Sequence, residues 1–146
     1  MCGRRAASRV WLRFIVACNG LDLERGCTVD GTLGAEILPE VAPCPGDIVV
    51  DPWRSSAFIG TNFDIALTDN GIRTVVCMGV GTLGCVERTA RGAPFIDYYV
   101  MVAEDVVATY ERDLHEASQK ILRTRVDLAP LDAVLGVWSR ANRRRG

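Results

Sequence analysis

The stretch that most constrains the fold is residues 74–91, which read T-V-V-C-M-G-V-G-T-L-G-C-V-E-R-T-A-R. It begins as an apolar run over residues 75–78, bends at three glycines and continues with helical periodicity. A buried strand, a tight turn and a helix start are the parts that present catalytic residues at the carboxyl edge of a parallel sheet. The stretch therefore predicts a strand, a turn and a helix, with Cys85 at the turn.

Cys85 has two interpretations. A thiol at a helix N-terminus meets unpaired backbone N–H groups and the positive end of the helix dipole, and both favour a nucleophilic thiolate. The alternative is a small buried cysteine beside a packing glycine. Short motifs occur often by chance, so the spacing alone leaves both interpretations open.

Length and charge limit the class of protein. The chain has 146 residues, which predicts a single domain over residues 1–146. Its 17 basic and 18 acidic residues give no reason to expect a nucleic-acid partner. No apolar run reaches membrane-spanning length, so no membrane partner is expected. Arginines cluster at both ends and are expected to form solvated tails: Arg4, Arg5, Arg9, Arg13, Arg140, Arg143, Arg144 and Arg145.

The cysteine pattern bears on location and cofactors. The chain has six cysteines but no C-x-x-C spacing, and its first residues do not read as a secretory signal. We therefore expect free thiols in a reducing compartment, which predicts a cytoplasmic protein. His115 is the one histidine in the sequence, so neither a metal site nor a cofactor is expected.

Strand and helix patterns alternate along the chain. Strands are predicted within residues 11–18, 47–50, 98–103 and 126–129 as well as from Thr74, and helices from Thr61, from Cys85, over 111–123 and after Pro130. This alternation predicts an α/β fold with a mostly parallel sheet. In the helix over 111–123, the apolar spacing predicts an inward face made of Leu114, Ala117, Ile121 and Leu122.

Blocks of sequence between about residues 31 and 131 resemble the isochorismatase-like superfamily, in its cysteine hydrolase branch with the nicotinamidases and other amidohydrolases. The blocks occur in the family's order: G-T-L-G-A-E-I-L-P-E, P-G-D-I-V-V, R-S-S-A-F-I-G-T-N-F-D, N-G-I-R-T-V-V, G-V-G-T-L-G-C-V-E-R-T-A-R, A-E-D-V-V-A and D-L-H-E-A-S. The resemblance implies a Rossmann-like three-layer α/β/α fold with a mostly parallel sheet.

The same resemblance implies a chemistry. Cys85 takes the place of the nucleophile that attacks a small amide and leads to cleavage of its C–N bond. The backbone N–H groups of Gly81 and Cys85 take the place of the oxyanion hole. The family's unusual cis peptide bond falls at Val80–Gly81. Family members often form homo-oligomers, so self-association is expected too.

Two of the three catalytic side chains of the family have no counterpart in the blocks that carry the resemblance. The lysine that normally precedes the arginine of a K-x-R-x-S-x-F-like block is replaced by Pro52, and Lys120 is the one lysine of the sequence. The aspartate belongs to a first strand that nothing before Gly31 resembles. We therefore expect a fold that is incomplete at the N-terminus.

Residues 11–18 leave three alternatives for the missing strand. They fill its central place, or the sheet has a gap, or the chain belongs to a longer protein. If they fill the place, Asn19 or Asp22 lies near the site, and Asp22 is the candidate replacement acid.

Other residues have weaker roles in this interpretation. The loop before Thr61 offers three candidates for a pocket wall, with ordinary packing as the alternative: Trp53, Arg54 and Phe58. Cys77 is expected in the core, His115 on a helix surface and Asp105 at a turn that it anchors.

Two functions from different classes follow. The first is an isochorismatase-like cysteine hydrolase with impaired catalysis. The second is a catalytically dead relative or truncated gene product that serves as a binding or interaction module. The loss of both the lysine and the aspartate favours the second. Catalytic groups that act as a unit are strongly non-additive when removed, so trace activity from a lone cysteine is compatible with that loss.

Overall fold

All strand pairs of the described residues are parallel. The computed structural model describes residues 10–12 and 29–143, with side chains for residues 29–140. Strand β1 (Val10–Leu12) pairs with β2 (Ile48–Val50). Strand β3 (Thr74–Val80) pairs with β4 (Tyr99–Ala108), and β4 pairs with β5 (Asp127–Ala129). Parallel pairing needs a crossover between successive strands, and helices lie in the connections from β3 to β4 and from β4 to β5.

The chain divides into two units, Met1–Gly71 and Ile72–Gly146. The first holds the β1–β2 pair and helix α1 (Phe63–Asp69). Helix α1 begins beside Thr61, whose hydroxyl accepts a hydrogen bond from the Phe63 N–H at 3.1 Å. Phe63 is buried, and its ring centroid lies 4.8 Å from that of Phe58.

The second unit holds the three-stranded sheet in the order β3-β4-β5, together with helices α2 (Glu87–Gly92), α3 (Arg112–Leu122) and α4 (Leu131–Arg143). Its central strand β4 is the most buried, and Val102 and Ala103 are fully inaccessible to solvent. Leu122 of α3 and Val134 of α4 are also buried. The core of this unit therefore lies between the sheet and its helices.

Asp105 lies within β4 and not at the turn where the sequence predicts it, but it does anchor a neighbouring element. Its Oδ1 accepts a hydrogen bond from the Leu131 N–H at 2.8 Å, at the start of α4. A carboxylate at this place satisfies a backbone donor that the helix itself leaves unpaired, and it complements the helix dipole. Asp105 thus anchors the start of α4.

The predicted α/β class with parallel strands is confirmed. The predicted inward face of α3 is wrong in three of its four residues, because Leu114, Ala117 and Ile121 are exposed while Leu122 is buried. The buried face of α3 instead contains Ser118, a polar residue whose hydroxyl has buried partners. Polar pairing has replaced part of the apolar face that the periodicity indicates.

Several predictions concern residues outside the described ranges. These are the greater part of residues 11–18, the candidate acid Asp22 with Asn19, and most of both arginine-rich ends. The single-domain prediction and the incomplete N-terminal part of the fold stay predictions. Among the described residues, no helix combines the length and the apolar character needed to cross a membrane.

Candidate active site

The turn after β3 is built by two glycines with positive φ. Gly79 has φ +117° and Gly81 has φ +85°, values that side chains other than glycine rarely adopt. Residues Thr82–Val86 then form one π-helical turn, in which the Val86 N–H donates to the Gly81 carbonyl oxygen at 3.3 Å. Single π-turns are rare and often occur at functional sites. We call residues 81–86 the Cys85 turn.

Cys85 lies within this turn and is half-buried. Burial raises the pKa of its thiol above the ordinary value of 9.0, while the Arg88 guanidinium and the residue's own backbone N–H act in the opposite direction. The backbone N–H thus favours the thiolate, as the helix-start argument expects, but the loss of hydration on burial is the larger effect on the pKa.

Cys77 provides an internal standard for that result. It lies in the middle of β3 and is 9% exposed, so the prediction that it belongs to the core is confirmed. Burial raises the pKa of its thiol to about 12. Both thiols are free. Cys85 is half-buried and lies near the Arg88 guanidinium, whereas Cys77 is buried and burial alone shifts its pKa. A thiolate is the reactive form of cysteine, and this difference favours Cys85 as the nucleophile.

The predicted cis peptide bond at Val80–Gly81 is wrong, since this bond is trans. The positive φ of Gly81 turns the chain without a cis bond, and the trans form is the preferred one for a residue that is not proline. The Gly81 N–H donates to the carbonyl oxygen of Ala108 at 2.8 Å. This hydrogen bond engages the donor that the resemblance assigns to the oxyanion hole, and that role of Gly81 stays a prediction.

Helix α3 holds both ends of the Cys85 turn. The hydroxyl oxygen of Thr82 lies 3.0 Å from Nδ1 of His115, and Thr82 is fully buried. The Ser118 hydroxyl donates to Oε2 of Glu87, and its oxygen lies 3.4 Å from the Thr82 carbonyl oxygen. Arg91 completes the set by donating to Oε1 of Glu87 at 2.9 Å. We call these five residues the α3 network.

The α3 network was not predicted from the sequence. The interpretation of His115 as a helix-surface residue is wrong, because it is half-buried and faces the Cys85 turn through Thr82. One signal was present: residues three apart on a helix share a face, so His115 and Ser118 point to the same side. Nothing local indicates that Glu87 and Thr82 are their partners.

Three candidate pocket residues lie in the first unit. Trp53 and Arg54 are exposed, and Arg54 donates to the Trp53 carbonyl oxygen at 3.1 Å. Phe58 is half-buried and packs on Phe63. Packing thus accounts for Phe58, and a pocket formed by Trp53, Arg54 and Phe58 stays a prediction.

The position of the family lysine is occupied by an apolar ring. Pro52 is fully buried, and Lys120 lies exposed on α3. Among residues 10–12 and 29–143, no group of three metal-ligating side chains comes together. A shallow depression of about 170 Å³ lies at the end of β4, and His115 and Arg112 are among the residues that line it.

These features define a class: an α/β protein of parallel strands with a half-buried cysteine in a glycine turn at the carboxyl end of a strand. Residues 10–129 match the family model described as "Isochorismatase domain". The chain therefore belongs to the isochorismatase family, as its sequence blocks indicated.

Solved structures of the family show the same fold. An isochorismatase-like hydrolase from Alkaliphilus metalliredigens superposes with a TM-score of 0.82 at 29% identity, covering 90% of this chain and 73% of that one. The N-carbamoylsarcosine amidase of Thermoplasma acidophilum gives a TM-score of 0.69 at 27% identity, covering 83% of this chain and 70% of that one.

A similar protein of named activity is the ureidoacrylate amidohydrolase of Agrobacterium fabrum. It is 38% identical over 84 residues, which cover 58% of this chain and 37% of that protein. The chain matches between 29% and 40% of the length of such curated relatives.

Proposed function

We propose that the chain is a cysteine hydrolase that cleaves the C–N bond of a small amide, with Cys85 as the nucleophile. The observation that carries the proposal is the placement of Cys85, which is half-buried in a turn at the carboxyl end of a parallel strand, with the Arg88 guanidinium acting on its thiol. Ligands of open parallel sheets bind at this edge. The named activities of similar proteins, ureidoacrylate amidohydrolase and N-carbamoylsarcosine amidase, support amides as the substrate class.

The reaction follows from thiol chemistry. The Cys85 thiol loses its proton to solvent, and its thiolate adds to the amide carbonyl carbon to form a tetrahedral intermediate. The C–N bond of this intermediate then breaks as the nitrogen takes up a proton from solvent water. The acyl group remains on sulfur as a thioester. Water attacks the thioester, releases the acid and returns the thiol. The Cys85 N–H is the oxyanion donor that this turn offers, and the Arg88 guanidinium favours the thiolate.

Slow catalysis is part of the proposal. The pKa of Cys85 is raised by burial, and the buried Pro52 ring stands where the family's lysine is expected. At neutral pH the thiolate is therefore a small fraction of the total thiol. The turnover number is expected to rise about tenfold per pH unit between pH 7 and pH 9 if thiolate formation limits the rate.

The test is a turnover assay with matched variants. The purified chain is given ureidoacrylate, N-carbamoylsarcosine or nicotinamide, and release of ammonia or of the acid is followed by mass spectrometry. Cys85→Ala removes the nucleophile, and Cys77→Ala removes a thiol that lies outside the proposed chemistry. Turnover that persists in Cys77→Ala and disappears in Cys85→Ala supports the proposal. Turnover that survives in Cys85→Ala contradicts it.

A second function has its own supporting observation. The Gly81 N–H donates to the Ala108 carbonyl oxygen, and burial raises the pKa of the Cys85 thiol, so both features work against the reaction in this arrangement. We propose as the alternative a catalytically dead relative that serves as a binding or interaction module. It predicts no turnover on the amide panel and a ligand that binds equally well to Cys85→Ala.

We further propose a cytoplasmic homo-oligomer that needs no cofactor. Large apolar side chains are exposed on α3 and α4, and self-association covers such surfaces: Leu114, Ile121, Leu135 and Val137. Sedimentation velocity is expected to show a species larger than the 15.9 kDa chain. A single boundary at the monomer mass over a hundredfold range of concentration would contradict this part of the proposal.

A further inference from the structure

The Cys85 turn combines backbone hydrogen bonds of two spans. The Val86 N–H donates to the Gly81 carbonyl oxygen across five residues at 3.3 Å, and the Gly84 N–H donates to the same oxygen at 2.9 Å. A π-helical turn is rare, and the α-helical turn is the common alternative at such a place. Contacts from outside the turn therefore bear on which geometry the chain takes around the Cys85 sulfur.

Those contacts come from two residues of one helix. His115 binds the side chain of Thr82 at the start of the turn, and Ser118 binds the side chain of Glu87 directly after its end. Cys85 lies between these two fixed points along the chain. His115 and Ser118 are one helical turn apart on α3, so a single rigid element holds both ends.

Burial makes these hydrogen bonds costly to break. Thr82 is fully buried, Ser118 is 3% exposed and Glu87 is 8% exposed. A buried hydroxyl or carboxylate that loses its partner keeps the cost of its lost hydration. The carboxylate of Glu87 also accepts from Arg91, which fixes its second oxygen. Arrangements of the α3 network that break these buried hydrogen bonds are therefore disfavoured.

We propose that His115 and Ser118 are positioning residues for Cys85, acting through Thr82 and Glu87 to hold the turn in the form that keeps the sulfur half-buried and aligned. This inference deepens the proposed hydrolase function and rests on it for the consequences in turnover. Its consequence for the thiol itself does not depend on any substrate.

The effect on the thiol has a definite direction. Burial raises the pKa of Cys85, so a turn that is released from α3 exposes the sulfur and brings the pKa of its thiol down towards 9.0. The ionisable groups that the structure places at the turn are Arg88 and Glu87 of α2, Arg91, which pairs with Glu87, and His115 of α3. Alignment is lost at the same time, so the turnover number is expected to fall about tenfold although more thiolate is present.

The experiment compares three variants of the α3 network with a stability control. His115→Leu removes the hydrogen bond to Thr82, whereas His115→Asn keeps a polar atom near the place of Nδ1. Ser118→Ala removes the bond to Glu87. Val134→Ala truncates a buried side chain of α4, away from the turn, and controls for lost stability. The pH dependence of Cys85 alkylation by iodoacetamide, located by peptide mapping, gives the thiol pKa of each variant.

The inference predicts a lower thiol pKa in His115→Leu and Ser118→Ala, a value near that of the native chain in His115→Asn, and no change in Val134→Ala. Active protein should also show a lower kcat with little change in KM for the first two variants. An unchanged alkylation profile in both His115→Leu and Ser118→Ala overturns the inference, whether or not the native chain turns over amides. If the profiles shift as predicted while the native chain has no turnover, the positioning role stands and the proposed function fails.

Discussion

The middle of β3 and the turn that follows it each carry a cysteine, and the two environments differ in kind. Cys77 is enclosed in the sheet, and burial alone raises the pKa of its thiol to about 12. Cys85 is half-buried, and burial raises its pKa against the opposing effects of Arg88 and a backbone N–H. The interior of the strand thus keeps a thiol buried and unreactive. After the end of the same strand the thiol is half-exposed, and a cation and a backbone N–H offset part of the rise in its pKa. The proposed role of Cys85 rests on this difference between the interior of β3 and its end.

The largest expected effect comes from removing the thiol at the turn. Cys85→Ala should lower amide turnover by about 10³-fold or more, because a covalent reaction loses its nucleophile. Cys77→Ala should leave the turnover within about threefold of the native value, because it changes packing and no reacting atom. Initial rates at equal concentrations of folded protein measure both. Equal losses in the two variants would remove the distinction between strand and turn.

The next effect tests the geometry of the turn. Gly81→Ala places a side chain at φ +85°, which costs about 1 kcal/mol or more and favours a rearranged turn. We expect turnover to fall about tenfold to a hundredfold. Gly136→Ala in α4 is the matched control, since that glycine has no positive φ and open space around it. Circular dichroism and initial rates check both variants, and full activity in Gly81→Ala would contradict the role of this backbone conformation.

A smaller effect concerns the buried thiol of Cys77, through the pH dependence of the free energy of unfolding. The folded-state pKa of Cys77 lies above its unfolded value of 9.0, so the neutral thiol stabilises the fold fully below that pH and progressively less as the pH rises towards 12. Cys77→Val has no proton to lose. The free energy of unfolding of the native chain should therefore fall faster than that of Cys77→Val, by up to about 1.4 kcal/mol per pH unit above pH 9. Urea unfolding at pH 8, 9 and 10 measures this, and parallel curves would show that Cys77 is not enclosed.

The smallest effect concerns the cation beside the turn. Arg88→Gln removes a charge that lowers the pKa of Cys85, so that pKa should rise further and alkylation at pH 8 should slow about twofold to fivefold. Arg88 is exposed, and salt screens its charge. Arg125→Gln, at another exposed arginine, is the control. The difference between the two variants should shrink in 1 M salt, and an equal slowing in both would assign the effect to net charge.

The elements of the fold could be predicted because their signals are local. The apolar run before Gly79 predicts β3, and the closely spaced glycines after it predict the turn. The bounds of α3 also agree closely with the predicted helix over 111–123. Each of these follows from residues that are near one another in the sequence.

The site was less predictable because its properties are tertiary. Thr82 and His115 are 33 residues apart, so no local pattern pairs them. The inward face of α3 was misassigned because Ser118 has a buried carboxylate partner that periodicity does not reveal. The raised pKa of Cys85 depends on how much of the sulfur is covered, which the helix-start argument leaves out. The cis bond was carried over from the family and not from the residues around Gly81.

The central claim is that Cys85, and not Cys77, forms the covalent intermediate with an amide. Arg73 and Arg88 bound one tryptic peptide that contains both cysteines, so the measurement is tandem mass spectrometry of residues 74–88 after rapid acid quenching of the chain with substrate. We predict an acyl mass on fragments that contain Cys85 and its absence from those that contain only Cys77. An acyl mass on Cys77, or turnover without any adduct on Cys85 in the steady state and in single-turnover samples, would contradict the account.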